Sequence, residues 1–70
     1  MTPKVQQFVD EIALKCPGTV TCDDQDEGYL RLYGIPDEYI PAAKAIGEKY
    51  SFNWDGWDED GCACWEIIGQ

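Results

Sequence analysis

Residues 2–18 spell out a helix together with its start and its stop. Thr2-Pro3 offers a capping hydroxyl followed by the residue best suited to the first helical position. Val5, Phe8, Val9, Ile12 and Cys16 then recur at i, i+3, i+4, i+7 and i+11, one face of an α-helix. Lys4, Gln7, Asp10, Glu11 and Lys15 mostly occupy the other side. Cys16-Pro17-Gly18 ends the pattern, because proline disfavours helix at the residue before it and glycine frees the turn. The spacing predicts a helix over 3–15. Its apolar stripe must lie against another element, and the remainder of the chain supplies mainly strands.

Thr19–Cys22 is β-branched and alternating, which predicts a first strand, with Asp23–Gly28 as the loop after it. Tyr29–Tyr33 is the second strand: Leu30 and Leu32 point one way, and Tyr29, Arg31 and Tyr33 the other. Asp37 is a candidate cap for a second helix, with Pro41 in its first turn or as its first residue. Tyr39, Ile40, Ala43, Ile46 and Tyr50 keep helical spacing. Ser51–Trp54 and Cys62–Ile68 read as strands three and four, the latter with Ala63, Trp65 and Ile67 on its core side. Asp55-Gly56 and Asp60-Gly61 are both hairpin-turn dipeptides. A turn at the first pairs Trp57 with the sheet; a longer loop leaves Trp57 near its tip.

The order α-β-β-α-β-β predicts an α+β fold in a single domain spanning residues 1–70. Its simplest form is a four-stranded sheet with two helices on one face. Strands two and three are expected to run parallel across helix two, by a right-handed crossover. The two acidic loops then sit at hairpin tips at opposite ends of the sheet, and their carboxylates form a stripe.

Charge is the compositional outlier. Fourteen acids oppose five bases, for a net charge of −9, and there is no histidine. Such a field repels nucleic acid and anionic membrane and attracts basic partners. No segment approaches the ~20 apolar residues of a membrane span, and the N-terminal stretch lacks the apolar run of a signal peptide. The cytoplasm is therefore the expected compartment, where thiols stay reduced.

The acids cluster. Asp23, Asp24, Asp26 and Glu27 fall within five residues, and Asp55, Asp58, Glu59 and Asp60 within six. Like charges this close are tolerated in water or beside a cation. Neither run matches the oxygen-ligand series of a calcium loop. Trp57 lies inside the second run, and tryptophan is enriched at binding hot spots. These nine residues are the candidate partner-binding set. Cys16, Cys22, Cys62 and Cys64 lack the usual C-x₂-C spacing of a zinc knuckle. No Ser, Cys or Thr nucleophile has an evident base and no phosphate loop is present, so catalysis is not expected, and no cofactor is called for.

In size and charge the chain resembles small phage-encoded inhibitors of the anti-CRISPR and anti-restriction kind. Several of those present carboxylates where DNA phosphates would lie. The resemblance rests on no motif and assigns no residues. What it implies is a DNA mimic that binds a basic, nucleic-acid-binding protein surface. Two other readings stand beside it. One is a metal-binding or thiol-redox module using Cys62 and Cys64. The other is a structural or regulatory subunit that pairs through its open sheet face or edge strand, as a homodimer or with another chain.

Overall fold

The computed structural model describes residues 2–26 and 28–68. Helix α1 spans Pro3–Lys15, as its pattern predicts. The Thr2 hydroxyl oxygen accepts the Val5 N–H at 3.2 Å, satisfying one of the donors that a helix start leaves over. Cys16, extended ahead of Pro17, closes the other end by donating its N–H to the Ile12 carbonyl. The second helical segment begins as a 3₁₀ turn, Asp37–Tyr39, and continues as α2, Ile40–Lys49. Asp37 makes no capping hydrogen bond; Pro36 holds the cap position, and Pro41 falls in the first turn of α2, where its missing N–H costs least. Ser51, at φ 63°, ends α2 in the left-handed conformation and turns the chain directly into the next strand.

The strands are β1 (Thr21–Asp26), β2 (Tyr29–Tyr33), β3 (Phe52–Trp57) and β4 (Ala63–Ile67). They form one four-stranded sheet in the order β1-β2-β4-β3, every neighbouring pair antiparallel. Since β2 and β3 are each antiparallel to β4, they run in the same direction. They are not neighbours, however: β4 lies between them. A buried strand with two partners suits ACWEI, whose Ala63, Trp65 and Ile67 are apolar on one side and whose Cys64 is buried on the other.

Both edge strands differ from their expected bounds, and both carry a β-bulge. β1 starts later and runs on through the acids to Asp26, its register shifting between Cys22 and Asp24. β3 runs through Asp55-Gly56, with a shift between Trp54 and Gly56, so that dipeptide is a bulge and not a turn. The turn comes later, at 58–61, where the Gly61 N–H reaches the Asp58 carbonyl at 3.1 Å.

Both helices lie on one face of the sheet. Val5, Phe8, Val9 and Ile12 of α1 and Ala43 of α2 meet Leu30, Leu32, Phe52, Ala63, Trp65 and Ile67 in a single core. Phe8 is its centre, edge-on to Phe52 at 4.9 Å and to Trp65 at 5.1 Å, in the arrangement that ring quadrupoles favour. Trp65 lies tight under α2: a Cβ added at Gly47 would come within 2.8 Å of its Nε1. Where the helices meet, Glu11 of α1 takes the Lys49 ammonium on both oxygens, at 2.6 and 2.8 Å, and also the Tyr50 hydroxyl. Among the described residues no helix is long and apolar enough to cross a membrane.

Candidate functional site

The bulge in β1 decides where the first acidic cluster goes. It sets Asp24 in register with Arg31 and leaves Asp23 as the extra residue. On β2, Arg31 stands on the face away from the helices, in backbone register with Asp24 of β1 and with Cys64 of β4. The second cluster arrives from β3–β4. Asp58 builds that turn: its Oδ1 accepts the backbone N–H groups of Asp60 at 2.9 Å and of Cys62 at 2.8 Å. With one oxygen fixed by the backbone, the other meets Arg31 Nε at 2.7 Å. Arg31 Nη2 reaches Asp23 at 3.2 Å and Asp60 at 3.4 Å. The Cys62 sulfur sits inside this ring, 3.7 Å from both Arg31 Nη2 and Asp23 Oδ2.

Among the described side chains, the carboxylates of Asp23, Asp58 and Asp60 thus meet one guanidinium. The Cys62 sulfur, and then the charges of Asp58 and Asp23, push the Arg31 pKa up, so it stays protonated. The Asp58 carboxyl is held below its ordinary range, first by the Cys62 N–H and further by the Asp60 N–H and Arg31. Burial pushes the Cys62 thiol up, which leaves it a poor nucleophile. Beside the ring Tyr29 shares a face with Cys64; the neighbouring Cys64 thiol, burial and the negative charges of Asp55 and Asp58 push Tyr29 up to about 12.

Of the nine candidate residues, the fold brings together Asp23, Asp58 and Asp60. Asp55 is the extra residue of the β3 bulge, next to Gly56 opposite Cys64, and its charge acts on Tyr29. Glu59 is exposed in the turn. Asp26 is remote, at the other end of the sheet, where its Oδ1 accepts the Gly28 N–H at 3.1 Å. Glu27 and the Asp24 side chain lie outside the described residues. Trp57 is separated from the acids. It pairs with Ala63 on the helix side and stands edge-on to Trp54 at 5.7 Å, which in turn contacts Trp65 at 5.0 Å. Three tryptophans therefore form a row from the core to the surface, with Trp57 its exposed end.

Arg31 and Cys62 complete the ring and were not among the candidates. A partial signal for Arg31 was present: the other four bases all lie in α1 and α2, which marks Arg31 as the base of an acidic sheet but not which carboxylates reach it. Among the described residues no disulfide joins Cys16, Cys62 or Cys64 to another cysteine. Among the described residues no three His, Cys, Asp or Glu side chains are grouped as metal ligands. A shallow depression lined by Glu48, Ser51, Phe52, Asn53 and Ile68 lies at the opposite end of β3 from Trp57.

The layers differ sharply in charge. The hairpins, residues 21–33 and 52–68, hold nine acids and one base, for −8. The helical segments, 3–15 and 37–49, hold five acids and four bases, for −1. Compared with family models, with curated proteins and with solved structures, the chain has no match.

These shifts fix how stability depends on pH. Asp58 and Glu11 are lowered from 3.8 and 4.5, so their contribution is present above those values and is lost as pH falls through the lowered ones. Cys16 and Cys62 are raised from 9.0, and Tyr29 from 10.0 to about 12, so their contribution is present below 9 to 10 and is lost as pH rises. Urea midpoints followed by circular dichroism should be flat between roughly pH 5 and pH 9 and fall on both sides. Tyr29→Phe should remove part of the alkaline fall between pH 10 and about 12.

Proposed function

We propose that this chain is a protein-binding module whose acidic hairpins occupy a basic surface of a partner, in particular a surface that otherwise holds nucleic acid. The observation that carries this reading is the segregation of charge, −8 on the hairpins against −1 on the helical segments. A field directed from one layer orients an approaching cation and speeds its encounter. Broad basic surfaces on proteins are commonly those that hold phosphates, and fixed carboxylates stand in for phosphates there. The ring adds preorganisation: Asp58 is held by its own turn, so part of the ordering cost of binding is met before the partner arrives.

The test is retention of partners from a bacterial lysate on the immobilised chain. A nucleic-acid-binding protein should be held in roughly 50 mM salt, released by about 500 mM, and displaced by excess duplex DNA. Asp55→Asn, Glu59→Gln and Asp60→Asn together should weaken retention about tenfold and leave the fold intact, since Asp58 is untouched. Undiminished binding by that triple variant would sink the proposal.

A further inference from the structure

We infer that the docking surface for this cationic partner is the helix-free face of the sheet, with Tyr29 and Tyr33 as its contact surface and Asp55, Asp60 and Glu66 as its charged rim. The inference rests on the function proposed above and adds which face binds and what it binds with.

Alternation along the strands fixes the membership of this face. Leu30, Leu32, Ala63 and Trp65 are spent on the helices, so Tyr29, Arg31, Tyr33, Cys64 and Glu66 stand on the other side. The register sets Tyr29 beside Glu66, and Glu66 beside Asn53. No described residue of α1 or α2 belongs to this side. Its middle is dry: Cys62 and Cys64 are each 2% exposed, covered by neighbouring side chains and not by a layer of structure. Around that middle, Tyr33 is 58% exposed, and Glu66, Asp55 and Asp60 are exposed. Exposed tyrosines and acids around a dry patch are features of a protein interface.

The occupant follows from charge. Among the described residues the only base on this face is Arg31, already met by the carboxylates of Asp23, Asp58 and Asp60. What remains is acid and phenol, which suits arginine: carboxylates take a guanidinium in paired hydrogen bonds, and tyrosine rings take it face-on. Arg31 shows the principle within the chain, since this face already holds one guanidinium. The other surfaces fit less well. The helical segments hold four of the five bases. The depression beside β3 has one acid, Glu48, in its lining. Trp57 faces the helix side. We therefore do not assign it as the anchor.

The test uses the ¹⁵N-labelled chain and a synthetic arginine-rich peptide as probe. At low salt the largest amide shifts should fall at Tyr29, Tyr33, Asp55 and Glu66, and should vanish as salt is raised. Tyr33→Ala and Glu66→Gln should each weaken the peptide several-fold, and together about tenfold, while Asp10→Asn with Glu48→Gln on the helix layer should change it less than about twofold. Shifts confined to the helices, the β3 depression or Trp57 would overturn the choice of face and leave the acidic-binder reading standing. Absence of any salt-sensitive binding would overturn both. Shifts on this face that appear on concentrating the chain alone would mean that a second copy covers it, and would overturn the cationic occupant.

Discussion

Trp65→Ala should leave the chain largely unfolded at room temperature. Trp65 is fully buried and packs against both helices and its neighbouring strand: Phe8 of α1 at 5.1 Å, Trp54 of β3 at 5.0 Å, and α2 at Gly47. Truncating a buried Trp to Ala costs about 3–5 kcal/mol, from lost transfer energy and from the cavity left behind. A single core in a chain of this size rarely supplies more than ~3–5 kcal/mol in all. The loss therefore matches the whole margin. Far-ultraviolet circular dichroism and urea titration of the variant check it directly. Trp65→Phe sharpens the test. The indole Nε1 is buried with no hydrogen-bond partner among the described residues, so the native side chain carries a desolvation cost that Phe does not. The Phe variant should stay folded and lose less than half as much as the Ala variant. Equal losses would mean that volume at this position is not what holds the sheet to the helices.

Gly34→Ala comes next in size. Gly34 sits at φ 100°, where a side chain is strained, and an added Cβ would lie 2.2 Å from the Thr19 carbonyl oxygen. That neighbour is backbone and cannot swing aside. Strain of the dihedral alone is worth ~1–3 kcal/mol, and the clash adds to it, so a loss of about 3 kcal/mol or more is expected. The chain is short enough for chemical synthesis, which permits a cleaner comparison. D-Alanine at position 34 favours positive φ and points its Cβ the other way. It should melt close to the native protein, whereas the L-alanine variant should not. Equal destabilisation by both would show that the constraint is not the one argued.

The sequence was most informative where local rules agree with tertiary ones. Helix α1 is legible almost to the residue, because cap, proline, apolar stripe and stop all mark the same span. β2 is legible because Leu30 and Leu32 alternate with Tyr29, Arg31 and Tyr33. β1 and the end of β3 were missed for opposite reasons. Asp23-Asp24-Gln25-Asp26 has poor strand propensity, yet an edge strand with one side in water tolerates acids, and a bulge turns one of them towards Arg31. Asp55-Gly56 has strong turn propensity, yet here it bends a strand that continues to Trp57. Strand order is not a local property at all. Without it, nothing indicated that Asp23 and Asp58, 35 residues apart in sequence, would share a guanidinium. The candidate set therefore joined residues that the fold separates: Asp23, Asp58 and Asp60 meet around Arg31, whereas Trp57, within the second run in sequence, lies on the opposite face in space.

The position of β4 has a consequence for how this protein is made. Of the four described strands this interior one is the last to leave the ribosome. Until residue 67 has emerged, β2 and β3 have no common partner, Phe8 has no Trp65 to meet, and the ring around Arg31 lacks Asp58 and Asp60. The first hairpin and both helices must wait as an unsealed chain until that strand is out. During that wait its high negative charge keeps nascent copies apart, so the same acidity that suits a basic partner also guards the half-made molecule against its neighbours.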